Sequence, residues 1–251
     1  MIILGIGGFP KNSAAAVVKD GVLVAAIEEA KLSRQRRLLP EASMQACLSL
    51  AEVEATDVDC VAVVRPVPGA AHLHLQLRAH FPNSRIVLVE HHAAHAASAY
   101  FASPFDSATV LTLDRTGDFR CGALWRASAN HIELERELFY PDSLGDVYGR
   151  VTELLGFEAG SEEHKVQWLS VAGEDRFREL FLDVLPPRDG SWPRVERSFI
   201  DSERMTRGGF GPRFFERLGL PDGAPIPGPM RAQVAASLQK AIEQRVLEMA
   251  G

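Results

Sequence analysis

A layered fold of the α/β or α+β class is predicted for this chain, and three observations predict it. Residues 2–28 hold three short apolar or β-branched segments separated by tight-turn signals. Residues 40–126 then alternate helical with strand-like patterns. The polar and histidine-rich stretches fall directly after apolar strands, where sheets of this class carry their ligands.

The elements follow in order. Residues 2–5 form an apolar strand, closed by the turn Gly7-Gly8-Phe9-Pro10. Residues 14–19 are small or β-branched and read as a second strand. Asp20-Gly21 signals a hairpin, because a two-residue turn of this kind needs positive φ at both positions. Residues 22–28 (VLVAAIE) are the third strand. Residues 40–51 are helical, with Ala42, Cys47, Leu48 and Ala51 on the apolar side. A buried strand at 59–64 runs to Pro66, and a helix spans 69–81. Its His72, His74 and His80 share no clean face and read as surface residues. A strand at 85–89, a histidine helix, and strands at 108–114 and 122–126 come next.

After Tyr140 the character shifts. Helices are expected at 145–155, 162–171 and 174–185, with a loop at 156–160. The Pro/Gly-rich segment 186–193 reads as exposed, and 221–229 (PDGAPIPGP) as the clearest loop or linker. Residues 230–249 form a long amphipathic helix with Val234, Leu238, Ile242, Val246 and Met249 on one stripe. The expected organisation is therefore a first lobe over 1–140 and a helical second part over 141–251.

The chain has 251 residues and a net charge of -6, which argues against nucleic acid as the main partner. The basic cluster 31–37 (KLSRQRR) is a local exception and reads as a solvated helix end or loop. No apolar run approaches the roughly 20 residues needed to span a membrane. The opening MIILGIGG lacks a basic leader and reads as a first strand instead of a signal peptide. Cys47, Cys60 and Cys121 are scattered, as expected for a reducing cytoplasm with no disulfide frame or zinc knuckle.

Most of the chemistry lies in VLVEHHAAHAASAYFASPFDSATVLTLD, residues 87–114. His91 and His95 are four apart, so a helix puts both imidazoles on one face. Such a pair also occurs as an ordinary surface or capping feature. Two facts single this one out: it opens its helix directly after an apolar strand, and a second strand ends at Asp114, a natural third ligand for a metal. His92 points elsewhere, as a group that either supports the ligands or faces a bound molecule. The Gly7-Gly8 turn reads either as a plain tight turn or as one whose backbone N–H groups hold phosphate oxygens, and Lys11, Asn12 and Ser13 follow it. Asp114-Arg115-Thr116-Gly117-Asp118 is a second polar turn, either an ordinary hairpin turn with acids or one suited to a metal or a phosphate. Of Glu28 and Glu29, one must face solvent, leaving the other functional or paired with the arginine cluster. The sequence holds no Walker A loop, nucleophile elbow or Cys–His dyad.

Four stretches in order resemble one family. They are ILGIGGFPKNSAAAVVKDGVLVAAIEEAKLSR, VEHHAAHAASAYFASPFDSATVLTLD, GDVYGRVTELLGFEAGSEEHKVQWLS and QVAASLQKAIEQRVLEMA. Together they resemble the carbamoyltransferases of nodulation and antibiotic O-carbamoylation, whose N-terminal part is similar to the tRNA threonylcarbamoyladenosine ATPase. The resemblance implies an actin/hexokinase-like, ribonuclease H-like ATPase fold, with its first lobe complete and its second partial. It implies a divalent metal, iron first and magnesium or zinc as alternatives, held by His91, His95 and Asp114. It implies ATP as co-substrate, approached by Gly7, Gly8, Ser13 and Gly117, and carbamoyl phosphate as donor. A small-molecule alcohol would accept the carbamoyl group from a carbamoyl adenylate. Lys11, Asn12 and Lys165 would occupy the reacting end.

The chain departs from the family at several places. Lys11-Asn12 stands where the family commonly has His-Asp, and Arg115 stands where it has a glycine. Lys165-Val166-Gln167-Trp168-Leu169-Ser170 replaces a KxMGLA run. The sequence stops short of the family's second phosphate loop, a later metal-binding Asp and the carbamoyl-phosphate domain. Weak ATP binding by this chain alone is therefore expected, with a partner chain or a C-terminal half completing the site. The rival expectation is a degenerate binding or scaffold subunit of a full-length carbamoyltransferase. A metal ATPase nearer the threonylcarbamoyl branch is a third.

Overall fold

Alternating burial runs along three strands of the first sheet. A computed structural model of the chain describes residues 1–9, 12–33, 39–67, 69–188, 192–201, 203 and 207–251. It divides into two compact units, Met1–Ser98 and Ala99–Gly251. In the first, β1 (Ile2–Gly7), β2 (Ala14–Lys19) and β3 (Val22–Glu28) form an antiparallel meander. Lys19 pairs with Val22, so the Asp20-Gly21 hairpin is a two-residue turn, with φ of 52° and 83° as its type requires. β4 (Cys60–Val64) joins β1 in parallel, and β5 (Arg85–Val89) joins β4 in parallel. The resulting order, β3-β2-β1-β4-β5, is that of the ribonuclease H-like sheet on which actin- and hexokinase-like ATPases are built.

Alternate strand residues Leu4, Ile6, Ala15, Val17, Val61 and Val63 are buried on one face. They pack in one core with Met44 and Cys47 of α2 (Glu41–Leu50) and Leu73 and Leu77 of α3 (Ala70–His80). A short α1 (Glu29–Leu32) follows β3. Its first residue resolves the acidic pair. Glu28 is exposed, 3.9 Å from Lys31, whereas Glu29 is 3% exposed. The Glu29 carboxylate accepts from the Ser43 N–H at 2.8 Å and the Ser43 hydroxyl at 2.9 Å. It therefore caps the first turn of α2, where the helix presents unpaired N–H groups and positive charge, and its role is structural. Residues 34–37 of the basic cluster lie outside the described residues.

In the second unit, β6 (Ser107–Leu113), β7 (Arg120–Ser128) and β8 (His131–Phe139) form an antiparallel sheet in that order. β8 was not anticipated from the sequence. Its period-two signal, Ile132, Leu134 and Leu138, is diluted by charges that serve as cross-strand partners: Glu137 meets Arg120 at 2.8 Å and Glu135 meets Arg126. The strands share their core with the helices after Tyr140: α5 (Leu144–Leu154), α6 (Glu163–Ser170), α7 (Arg178–Val184), α8 (Pro212–Leu218) and α9 (Gly228–Ala250). The expected helix at 174–185 starts instead at Arg178, and α8 is a further unanticipated element, introduced by a proline in its first turn.

α9 buries Val234, Leu238 and Met249 as its stripe predicts, and it also buries Arg245 at 5% exposure. Arg245 Nε donates to the Leu185 carbonyl at 2.6 Å and Nη2 to that of Leu182 at 3.3 Å, satisfying the C-terminal end of α7. Among the described residues, no helix is long and apolar enough to cross a membrane.

Candidate functional site

Three parallel strand ends set up the first cluster. β1 ends at Gly7, β4 at Val64 and β5 at Val89, in adjacent register. α4 (His91–Phe101) starts after one intervening residue, Glu90. Glu90 Oε2 accepts from the Ala93 N–H at 2.7 Å and so caps its first turn. His91 and His95 stand one turn apart with their Nε2 atoms 3.1 Å from each other. His91 Nδ1 lies 3.1 Å from the carbonyl oxygen of Arg65, just past β4.

That carbonyl can only accept, so His91 carries a proton on Nδ1, and in the neutral ring Nε2 is the nitrogen left to bind a metal. A carbonyl on the far ring nitrogen is the usual support of a metal-bound imidazole. Two nitrogens each about 2.1 Å from one ion, at tetrahedral or octahedral angles, lie roughly 3.0–3.4 Å apart. The pair therefore fits a divalent cation. His92, between them, is fully buried and belongs to the packing of the helix.

The glycine turn lies at the same sheet edge. A Cβ at Gly7 would meet the Val64 side chain at 3.1 Å. Gly8 has φ of 78°, and a Cβ there would lie 2.1 Å from the carbonyl oxygen of Asn12, so glycine is required. Asn12 is exposed and its N–H donates to the Gly8 carbonyl at 2.9 Å. Ser13 is buried, and its carbonyl accepts from the Glu29 N–H at 2.9 Å. Lys11 lies outside the described residues.

The second unit holds the remaining sequence-predicted positions. Asp114 closes β6, and its Oδ1 accepts from the Arg115 N–H at 2.5 Å. The Ser143 hydroxyl lies 2.6 Å from the Arg115 carbonyl and 3.2 Å from that of Asp114. Gly117 sits in the same turn with φ of 49°. Arg115 Nε donates to Asp146 Oδ1 at 3.2 Å, and Asp146 Oδ2 accepts from Arg150 Nε at 2.8 Å.

A cavity of about 440 Å³ opens here, lined by Asp114, Arg115, Gly145, Tyr148 and Glu163 among others. Tyr148 is held protonated, its pKa pushed up to about 12 by burial and then by Glu163 and Glu243. Lys165 is bound to Glu162 and lies 5.8 Å from the Phe157 ring. The Arg65 carbonyl is a backbone group and leaves no side-chain signal in the sequence. Asp146 and Tyr148 lie on the apolar-patterned helix α5 and carry no motif of their own.

A family model described as Carbamoyltransferase N-terminus matches residues 70–251. The chain is similar to an uncharacterized protein of Synechocystis, at 29% identity over 98% of this chain and 47% of that protein. It is similar to nodulation protein NolNO of Sinorhizobium fredii, at 29% identity over 96% of this chain and 38% of that one. Component A of the (R)-2-hydroxyglutaryl-CoA dehydratase of Acidaminococcus fermentans superposes with a TM-score of 0.47 at 13% identity, over 100% of this chain and 78% of that one. The chain thus spans less than half the length of the two curated relatives.

Proposed function

This chain belongs to the carbamoyltransferase N-terminal family, and from that premise we propose that it is the N-terminal part of an ATP-dependent O-carbamoyltransferase. Carbamoyl phosphate is hydrolysed to carbamate and inorganic phosphate, a step assigned to a separate domain. A carbamate oxygen attacks the α-phosphorus of ATP, giving carbamoyl adenylate and pyrophosphate. The hydroxyl of a small-molecule acceptor then attacks the carbamoyl carbon, loses its proton, and expels AMP to leave an O-carbamate.

The observation that carries this reading is the histidine pair, with Nε2 atoms 3.1 Å apart and one ring oriented by a backbone carbonyl. We assign His91 and His95 as metal ligands and Asp114, from the family motif, as the third. The bound cation, iron or alternatively magnesium or zinc, would offset charge on the nucleotide phosphates. Backbone N–H groups at Gly7, Gly8 and Gly117, with Ser13, approach the phosphate oxygens. Lys11, where the family has histidine, serves by charge and not as a base at neutral pH. Asn12 orients the reacting group, and Lys165, ion-paired with Glu162, is a further contact for the ligand or the transferred group.

The test has two readouts. Metal analysis of the purified chain should find bound metal that the His91→Ala/His95→Ala double variant lacks; equal content in both removes the metal assignment. Pyrophosphate release from ATP should require carbamoyl phosphate, in the chain joined by a polypeptide covering the rest of the relatives' length. A scaffold subunit without turnover is the second reading, favoured by Lys11-Asn12 in place of His-Asp. It predicts metal retention with no such release.

A further inference from the structure

Arg115 is held in a way that an ordinary structural ion pair does not need. Only its Nε engages Asp146, at 3.2 Å, and its two terminal nitrogens have no partner among the described residues. Asp146 is 8% exposed and divides its charge between Arg115 and Arg150. The guanidinium lies on Gly149, where a Cβ would come 3.2 Å from Cζ and 3.5 Å from Nη1. Gly145 packs on the backbone below, where a Cβ would come 2.9 Å from Arg115 Cα. Asp146, Gly145 and Gly149 thus position the main chain and the guanidinium of a side chain that is 40% exposed.

The cavity that Arg115 lines is otherwise largely apolar, with Leu113, Leu144, Tyr148 and Ile242 in its walls and a volume of about 440 Å³, suited to a small molecule. Of its acids, Glu163 is turned onto the Gly160 N–H, and Asp114 accepts from the Arg115 N–H.

We propose that this cleft binds an amphipathic organic anion, its apolar body against Leu113, Leu144, Tyr148 and Ile242 and its oxyanion on the terminal nitrogens of Arg115. With Nε on Asp146, the Nη1–Nη2 edge of the planar guanidinium still offers two parallel N–H groups, which match a carboxylate or phosphate ester. Naming that anion as the acceptor alcohol rests on the carbamoyltransferase reading; the anion site itself does not.

The test titrates the full chain, by calorimetry, with 3-(4-hydroxyphenyl)propionate, its methyl ester, phenyl phosphate and inorganic phosphate. The acid or phenyl phosphate should bind at least about tenfold more tightly than the ester, and whichever is tighter identifies the oxyanion. Arg115→Gln should erase the difference between acid and ester, whereas Ile242→Asp should weaken both. Metal content should stay unchanged in Arg115→Gln, so that failure here is separable from failure of the metal reading. Equal affinity for acid and ester in the wild type, retained discrimination in Arg115→Gln, or inorganic phosphate binding as tightly as the organic anions would each overturn the proposal. So would the absence of binding by all four probes.

Discussion

Glu29 receives both the N–H of Ser43, at 2.8 Å, and its hydroxyl, at 2.9 Å, inside the first core. A buried carboxylate with these partners joins the end of β3 to the start of α2. Glu29→Ala leaves the buried Ser43 N–H without an acceptor, while the Ser43 hydroxyl keeps the Pro40 carbonyl at 3.2 Å, and should cost about 1–3 kcal/mol in denaturant unfolding. Glu28→Ala, at an exposed position, should change stability by less than about 0.5 kcal/mol. Equal effects of the two substitutions would contradict the assignment of Glu29 as the cap.

Gly8 and Gly21 both have positive φ, but their surroundings differ. A Cβ at Gly8 would lie 2.1 Å from the Asn12 carbonyl, while one at Gly21 meets nothing within 4 Å. Gly8→Ala should cost about 3 kcal/mol or more, and Gly21→Ala about 1 kcal/mol from backbone conformation alone. Urea titration of both variants checks the ranking.

Alkaline pH should weaken the second unit. Burial raises the Cys121 thiol from 9.0 to about 11, and burial with Glu163 and Glu243 raises Tyr148 from 10.0 to about 12. The unfolded chain therefore releases these protons first. Their contribution is fully present below about pH 9 and is lost as pH rises from there through 12. Wild type and a Cys121→Ala/Tyr148→Phe variant, compared from pH 7 upward, should show the steeper decline in the wild type. Parallel curves would mean that neither group is linked to folding.

Adjacent histidines should separate by readout. His92 is fully buried, so His92→Ala should lower stability by about 1–3 kcal/mol with or without metal. His91→Ala should do little to the metal-free chain but abolish the rise in midpoint that added divalent metal produces in the wild type. If metal raises the midpoint equally in wild type and His91→Ala, the pair is not the binding site.

Much of the first sheet was legible because its signals are local. Alternating burial marks β1 and β2, Asp20-Gly21 has the backbone freedom its turn needs, and strands at 60–64 and 85–89 are short apolar runs between punctuating residues. The one-turn spacing of His91 and His95 was equally readable, since helix geometry alone places them together. β8 was missed because half of its alternation is carried by charges whose partners lie on β7.

By itself, then, the sequence determined the strand and helix periods, the hairpin and the histidine spacing, all of which depend on bonds within a few residues. Tertiary structure decided which ring nitrogen of His91 meets an acceptor, through the Arg65 carbonyl 26 residues away. It also decided that Glu29 is a cap and that Arg115 is held by Asp146 across 31 residues. Proton location, burial and charge pairing depend on atoms brought close by folding, and no local pattern encodes those distances.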